Sequence, residues 1–335
     1  MEANSQLDRE SRFQLAQGAR FMEDTICRMG DAPLFLDEHQ VRQHLRMSDL
    51  IPAMEKALAE FSTGKIVQPV RSVIKVEPPG GFFGMMPASS PAGLGIKLVT
   101  FYPPNAEKNL PTHMAMILLF DRETGTPVAV MDGTLITEMR TAAVSAVATN
   151  LLASPDARVL AILGSGVQAR SHVEALRLVR PIKEIRVWSR TGTNTQKFAA
   201  EIGGKAMSAE DAVRDADIIV TVTSSTVPVL KGEWLKNGSH VNAVGACRPD
   251  WRELDDEVMK NTIFVDSRAA AMQEAGDIIL SNARIQGELG ETLAGRIKFD
   301  QKATTVFKSL GMAVEDLATA LLVYKSATGA GIASS

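Results

Sequence analysis

The chain has 335 residues, 45% hydrophobic and 22% charged, with a formal net charge of −3. That length and balance suit a globular protein of two domains and exclude the basic footprint of a nucleic-acid binder. No apolar run reaches the ~20 residues of a membrane span, Cys27 and Cys247 lie far apart, and five scattered histidines form no metal motif.

Residues 1–33 read as a polar extension with one helix-compatible stretch at 13–27 and no assignable chemistry. The extension lacks an apolar signal core, and its acids Glu2, Asp8, Glu10, Glu23 and Asp24 argue against a transit peptide, so a cytoplasmic protein is expected. Organised sequence begins at Leu34-Phe35-Leu36. Asp37 or Ser48 can cap a helix, and Leu50, Ile51, Met54, Ala57, Leu58 and Phe61 recur at helical spacing until Gly64. Strand-like runs follow at 70–76, 82–86, 95–101, 114–120 and 127–131, separated by Gly, Pro and Asn. Successive strands without intervening helices predict an antiparallel or mixed sheet, hence an α+β unit. After the Asp132-Gly133 turn, Thr137 is expected to cap an alanine-rich helix over 138–152 that bridges to a second unit.

That unit opens on Val159-Leu160-Ala161-Ile162-Leu163, an apolar strand running into Gly164-Ser165-Gly166-Val167-Gln168-Ala169 and a helix. Gly164 permits the turn, Gly166 lets backbone approach a pyrophosphate, and Ala169 lets the helix pack closely on the strand. Free N–H groups at the helix start would hold the phosphates. A second strand, 184–188, ends in Ser189-Arg190-Thr191 where an NAD site usually carries an acid. A guanidinium and hydroxyls suit a 2′-phosphate, so the expected cofactor is NADP(H). Later strands at 217–222, 240–244 and 263–265 alternate with helical pieces such as 208–213, predicting a doubly wound, Rossmann-type parallel sheet over 154–303. From Arg284 the pattern turns helical, and 304–307 looks extended. Ser309 is expected to cap a last apolar helix over 312–324, which must bury more than one face. Residues 304–330 are therefore grouped with 34–153 as a substrate-binding and dimerisation unit.

Several polar residues stand out beyond the glycine loop. Arg71 lies in a strand-like run and either pairs with an internal carboxylate or awaits an anionic ligand, and Lys97 poses the same question. Arg140 and Thr141 are expected in the first turn of the bridging helix, where a cation opposes the helix dipole and implies an anion nearby. His113 is a candidate general acid or a hydrogen-bonded core residue. The run Glu253, Asp255, Asp256, Glu257 reads as a solvated face.

Arg71 in Gln68-Pro-Val-Arg, Lys97-Leu-Val-Thr-Phe-Tyr102, Met131-Asp-Gly, Arg140-Thr-Ala-Ala-Val-Ser-Ala, the Gly164 loop, Ala243-Val-Gly-Ala, Arg248-Pro-Asp-Trp-Arg-Glu-Leu-Asp-Asp and Val306 to Asp316 together resemble the ornithine cyclodeaminase/μ-crystallin family. The likeness runs in order from about Leu34 to Tyr324 and is nearest to the μ-crystallin branch, which reduces ketimines with NADPH and also binds thyroid hormone. It implies a homodimer whose contacts come from the first unit and the returning C-terminal helix. It also implies that Arg71, Lys97 and Arg140 are the substrate-carboxylate and catalytic cations. Thr112 and His113 are expected along the nicotinamide side. Cofactor contacts are expected from Arg140, Thr141, Gly164, Ser165, Gly166, Val167, Gln168, Ser189, Arg190, Thr191, Thr223, Val244, Gly245 and Ser309. One departure bears on the reaction. Ornithine cyclodeaminases carry an Asp two residues past the glycine matching Gly245, and here that substrate-side position is Cys247. A thiol, mostly protonated at neutral pH, cannot serve as counter-ion to an ammonium group. The expectation is NADPH-dependent reduction of small α-imino acids, cyclic ones such as Δ1-piperideine-2-carboxylate or Δ1-pyrroline-2-carboxylate, with Lys97 the candidate proton donor. The alternatives are an ornithine cyclodeaminase or alanine dehydrogenase, and a non-catalytic, crystallin-like or hormone-binding protein that keeps the NADPH site.

Overall fold

The computed structural model describes residues 32–329, so the helix expected at 13–27, and Cys27 with it, lie outside the described residues. Strands β1 (Leu34–Leu36), β2 (Ser72–Val76), β3 (Gly81–Ser90), β4 (Gly93–Phe101), β5 (His113–Phe120) and β6 (Pro127–Asp132) form one sheet in the order β1-β6-β5-β4-β3-β2. Strands β2 to β6 pair antiparallel and β1 pairs parallel with β6, the mixed sheet of an α+β unit. Burial alternates along β3 and β5 as a one-sided sheet requires. Helices Met47–Ser62 and Ala313–Thr328 pack together, the latter lying on β3, β4 and β5. Val73, Ile74, Met114 and Met116 remain exposed on β2 and β5. Of the two caps offered by sequence, Asp37 is the one used: its carboxylate accepts from the Gln40 amide at 2.8 Å. The helix Met47–Ser62 has no side-chain cap.

The second sheet is entirely parallel: β7 (Val159–Leu163), β8 (Glu184–Trp188), β9 (Lys205–Ala206), β10 (Ile218–Thr221), β11 (His240–Ala243), β12 (Thr262–Val265), β13 (Ile285–Glu288) and β14 (Thr305–Lys308). Its order, β13-β12-β14-β11-β10-β7-β8-β9, sends the chain outward from β7 in both directions. That reversal between β7 and β10 is the switch point at which doubly wound sheets bind ligands. The Rossmann-type expectation holds.

Four local expectations do not hold. The grouping of 304–330 with the first unit fails for β14, which lies inside the parallel sheet between β11 and β12. All four of its residues are buried, as a central strand demands. The stretch after Arg284 is strand β13, with only the short helix Leu289–Leu293 beyond it. The bridging helix starts at Thr134, so Thr137 does not cap it. Asp132 Oδ1 instead accepts from the Thr134 and Leu135 amides, 3.0 Å each, and Thr137 donates back to the Gly133 carbonyl. Ser309 likewise caps nothing, because the last helix begins at Ala313 with Met312 at its cap position.

The bridging helix, Thr134–Leu152, is buried around almost its whole circumference. Ala142, Ala143, Ala146 and Ala148 are fully buried, and their small side chains let helices Met47–Ser62 and Val167–Val179 close on it. At its far end Arg180 reaches the carbonyls of Thr149, Asn150, Ala153 and Ser154 at 2.8–3.0 Å, satisfying acceptors that the helix leaves open.

Candidate active site

The glycine loop is built as its chemistry requires. Gly164 has φ +137°, and a Cβ there would stand 2.8 Å from Val222, so loop and β10 exit touch backbone to backbone. Nothing lies within 4 Å of where a Gly166 Cβ would be, which leaves that face open for a phosphate. Helix Val167–Val179 starts at Gly166 without a side-chain cap, leaving its first amides free. Gln168 keeps a buried, unpartnered Oε1 beside them. Beyond β8, Ser189 is tied to Thr195 at 2.9 Å and to the Thr191 carbonyl at 3.1 Å. Arg190 is exposed and makes no hydrogen bond or ion pair among the described residues. These residues fit a phosphorylated dinucleotide.

The other half of the crevice lies where β10, β11 and β14 end. Val244 and Gly245 amides bond to the Thr221 carbonyl, and the Ser309 amide bonds to Ala243 at 3.0 Å. Ser309 is buried with its hydroxyl unpartnered. Thr223, expected as a cofactor contact, spends both its amide and its hydroxyl on Glu253, at 2.6 and 2.7 Å. Glu253 is thus no part of a solvated face: it is fully buried, and the sequence reading of that residue is corrected. Cys247 is exposed and free, two residues past Gly245.

From Ser309 the chain leads directly to the cation cluster. Leu310 and Gly311 amides are held by Asp266 Oδ2 at 2.6 and 2.7 Å. The Leu310 and Gly311 carbonyls accept from Arg71 Nη2 at 2.7 and 3.0 Å. A Cβ on Gly311, at φ +80°, would stand 2.3 Å from Arg140 Nη1. Glycine is needed there both for its conformation and for its lack of bulk.

Each cation has a carboxylate partner inside the protein. Arg71 Nε meets Glu274 at 3.1 Å. Lys97 Nζ meets Asp316 at 2.7 Å and Thr137 Oγ1 at 3.3 Å. Arg140 spans Glu315 at 2.7 Å and Asp316 at 3.0 Å. The anion that Arg140 called for is therefore this pair of acids. The helix-dipole argument for it fails as well, since the helix begins six residues before Arg140. Thr141 donates to the Thr137 carbonyl at 2.7 Å.

Burial and charge together set the protonation of the cluster. Burial, with the charges of Arg140 and Arg71, lowers Lys97 to about 8 although Asp316 opposes the shift. Burial works against the charge of Asp316, yet Lys97 and Arg140 hold its carboxyl below the usual range. Burial pushes Glu315 up to about 7 despite Arg140. It also raises Glu274, which Arg71 only partly counters. His113 pairs with Phe101 across β4 and β5, and burial plus the charges of Lys97 and Arg140 lower it to about 4. Its imidazole is neutral at pH 7. Thr112, next to it, gives its carbonyl to the Tyr102 amide at 2.8 Å.

Sequence reasoning missed Glu274, Glu315, Asp316 and Asp266. The one available signal was Glu315-Asp316 at the start of a helix apolar on most sides, where an acid has no route to solvent. Among the described residues no helix is long and apolar enough to cross a membrane.

The fold and crevice are those of the dinucleotide-dependent oxidoreductases. The pattern of the ornithine cyclodeaminase/mu-crystallin family matches residues 32–331, and the chain belongs to that family. It is similar to the ketimine reductase mu-crystallin of Mus musculus, 53% identical over 308 residues that span 89% of this chain and 98% of the relative. The structure of Thermococcus litoralis Δ1-pyrroline-2-carboxylate reductase in complex with NADH and L-proline matches with a TM-score of 0.84 at 37% identity, over 90% of this chain and 99% of that one. An archaeal alanine dehydrogenase dimer with bound NAD matches with the same TM-score at 33% identity, over 90% and 98% of the two chains.

Proposed function

We propose that the chain is an NADPH-dependent ketimine reductase acting on small α-imino acids, cyclic ones such as Δ1-piperideine-2-carboxylate and Δ1-pyrroline-2-carboxylate. The observation that carries this reading is the cluster of buried Lys97 and Arg140 with half-buried Arg71, reached through Ser309–Gly311 from the nucleotide crevice. Around the three cations stand Asp316, whose carboxyl they hold low, and Glu274, Glu315 and Asp266, which burial pushes up. A substrate carboxylate brought among Arg71, Lys97 and Arg140 would find the cations that a buried anion needs. Arg71, whose Nε and Nη2 are engaged, has Nη1 left to bind it.

Backbone amides at 166–168 would hold the pyrophosphate, and Ser189, Arg190 and Thr191 the 2′-phosphate. The dinucleotide supplies a hydride to the imine carbon. Lys97 holds its proton at Nζ at neutral pH and stands to give it to the imine nitrogen. His113, neutral at that pH, has no proton to give. Cys247 offers no carboxylate to an amino group, which disfavours deamination. We also infer a cytoplasmic homodimer, closed over the exposed apolar residues of β2 and β5.

The test is oxidation of NADPH and of NADH against a panel of cyclic and acyclic imino acids, with ornithine and alanine run in the oxidative direction. Faster turnover of a cyclic imino acid with NADPH is expected. Sustained ammonia release from ornithine or alanine would overturn the reading, and cofactor binding without any turnover would favour a non-catalytic role.

A further inference from the structure

Behind the crevice stands a buried carboxylate that no step above uses. Glu253 Oε1 accepts from the Thr223 amide at 2.6 Å and the Thr223 hydroxyl at 2.7 Å. Its Oε2 accepts from Thr221 Oγ1 at 2.9 Å, the Gly245 amide at 2.7 Å and the Ala246 amide at 3.2 Å. These donors belong to two separate segments, one at the end of β10 and one leaving β11. A single side chain ties both to one point.

Glu253 is itself held from behind. Its amide and that of Leu254 donate to Asp277 Oδ1 at 2.8 and 3.0 Å, and Asp277 faces Lys308 at 3.0 Å with both side chains fully buried. The loops are drawn so close that a Cβ on Gly245 would lie 2.0 Å from the Thr223 carbonyl oxygen and 2.6 Å from Glu253 Oε1. Burial pushes the Glu253 carboxyl up, yet both its oxygens accept from amides that can only donate, as a carboxylate's do. Bonds to a charged acceptor are among the strong ones, and several together fix geometry more firmly than neutral bonds would.

Position gives this anchor a function. Arg190 follows β8 on one side of β7, whereas β10, β11 and β14 lie on the other. A dinucleotide spans the switch point of such a sheet. With the 2′-phosphate at Arg190, the loops after β10 and β11 receive the nicotinamide half. We propose that Glu253 is a positioning residue that sets the nicotinamide half of the site by holding the Thr223 and Gly245 turns in one arrangement. This rests on the dinucleotide reading of the crevice.

The experiment compares NADPH with adenosine 2′,5′-bisphosphate, which carries only the adenine half, by calorimetry on the parent and on Glu253→Gln. The variant keeps the shape, removes the charge and turns an N–H group toward other donors. Affinity for the bisphosphate should stay within about twofold, while NADPH affinity and kcat each fall by about tenfold or more, the scale of one lost charge-assisted bond. Equal loss for both ligands, or loss for neither, would overturn the proposal. Thr223→Val removes one of the five bonds and should lower NADPH affinity by about threefold. Thr223→Ser keeps the hydroxyl and should stay closer to the parent. That pair decides the matter if Glu253→Gln does not fold, and indistinguishable Val and Ser variants would count against Glu253. A parent protein that binds neither ligand would refute the dinucleotide reading itself.

Discussion

Asp316→Asn tests the chemistry of the cluster most directly, because one carboxylate serves both Lys97, at 2.7 Å, and Arg140, at 3.0 Å. An opposite charge about 4 Å away is worth roughly 4 kcal/mol at an effective dielectric of about 20. Roughly 1.4 kcal/mol moves an ionisation by one pH unit. With Asp316 in place Lys97 stands at about 8, brought down by burial and by Arg140. Without the carboxylate, Lys97 falls below neutrality and has no proton to give at pH 7. The stability cost is contained, because a neutral lysine no longer needs a counter-ion and Asn still accepts hydrogen bonds. A loss of about 1–3 kcal/mol, a few degrees in Tm, is expected. The assay is kcat for imine reduction as a function of pH, with Tm measured on the same samples. In the parent, kcat should fall as pH rises through about 8. In the variant the fall should be complete below neutrality, leaving turnover at neutral pH at least about tenfold lower. An alkaline limb that stays near 8 in Asp316→Asn would refute the coupling. A parent profile flat across that range would remove Lys97 as donor.

Arg190→Asp should weaken NADPH binding by about tenfold or more and improve NADH relative to it, since an acid repels the 2′-phosphate; unchanged preference in paired titrations would mean the phosphate sits elsewhere. Arg71→Met should cut turnover by at least about tenfold and also lower Tm, because Glu274 loses its cation. Arg71→Lys should recover stability better than turnover, as a point charge lacks the forked geometry; full turnover in Arg71→Met would take the residue out of the site. Burial lowers His172 to about 4, from 6.5 when exposed, and its ring bonds Gln168 and Ser145 at 2.7 and 2.9 Å. Below 6.5 the unfolded chain binds a proton that the folded chain refuses, so this histidine costs stability as pH falls toward 4. His172→Gln lacks that penalty, and its stability deficit against the parent should shrink by roughly 1.4 kcal/mol per pH unit over that window in denaturant titrations; a constant deficit would refute it.

The parts of the fold legible in sequence were those in which each residue has a local reason. The Gly164 loop needs its glycines for a positive φ and for open space, and both needs are visible in six residues. The alanines of the bridging helix announce close packing. Strand β14 was read as extended but placed in the wrong unit, because only its pairing with β11 and β12, which end at Ala243 and Val265 far earlier in the chain, makes Thr305–Lys308 a central strand of the parallel sheet. The helix start at Thr134 was missed because its capping acceptor, Asp132, lies in the last position of β6 and reads there as half of a turn.

The candidate site divides along the same line. Arg71 and Lys97 were visible because a cation among apolar neighbours is costly wherever it lands, and Arg140 because a cation in a first helical turn opposes the dipole, although the helix starts too early for that reason to hold. Their carboxylates were not, because Glu315 and Asp316 look like the ordinary first-turn acids that a helix dipole favours. Yet the helix that carries them is buried at Ala313, Val314, Leu317 and Ala320 too, which leaves those acids no solvated side. A buried acid needs a cation as much as a buried cation needs an acid. Reading both requirements together would have paired the 313–328 helix with Lys97 and Arg140 before any coordinates. Glu253 had no such signal. Its partners are backbone amides and hydroxyls at 221–223 and 245–246, and an amide leaves no trace in the residue that carries it.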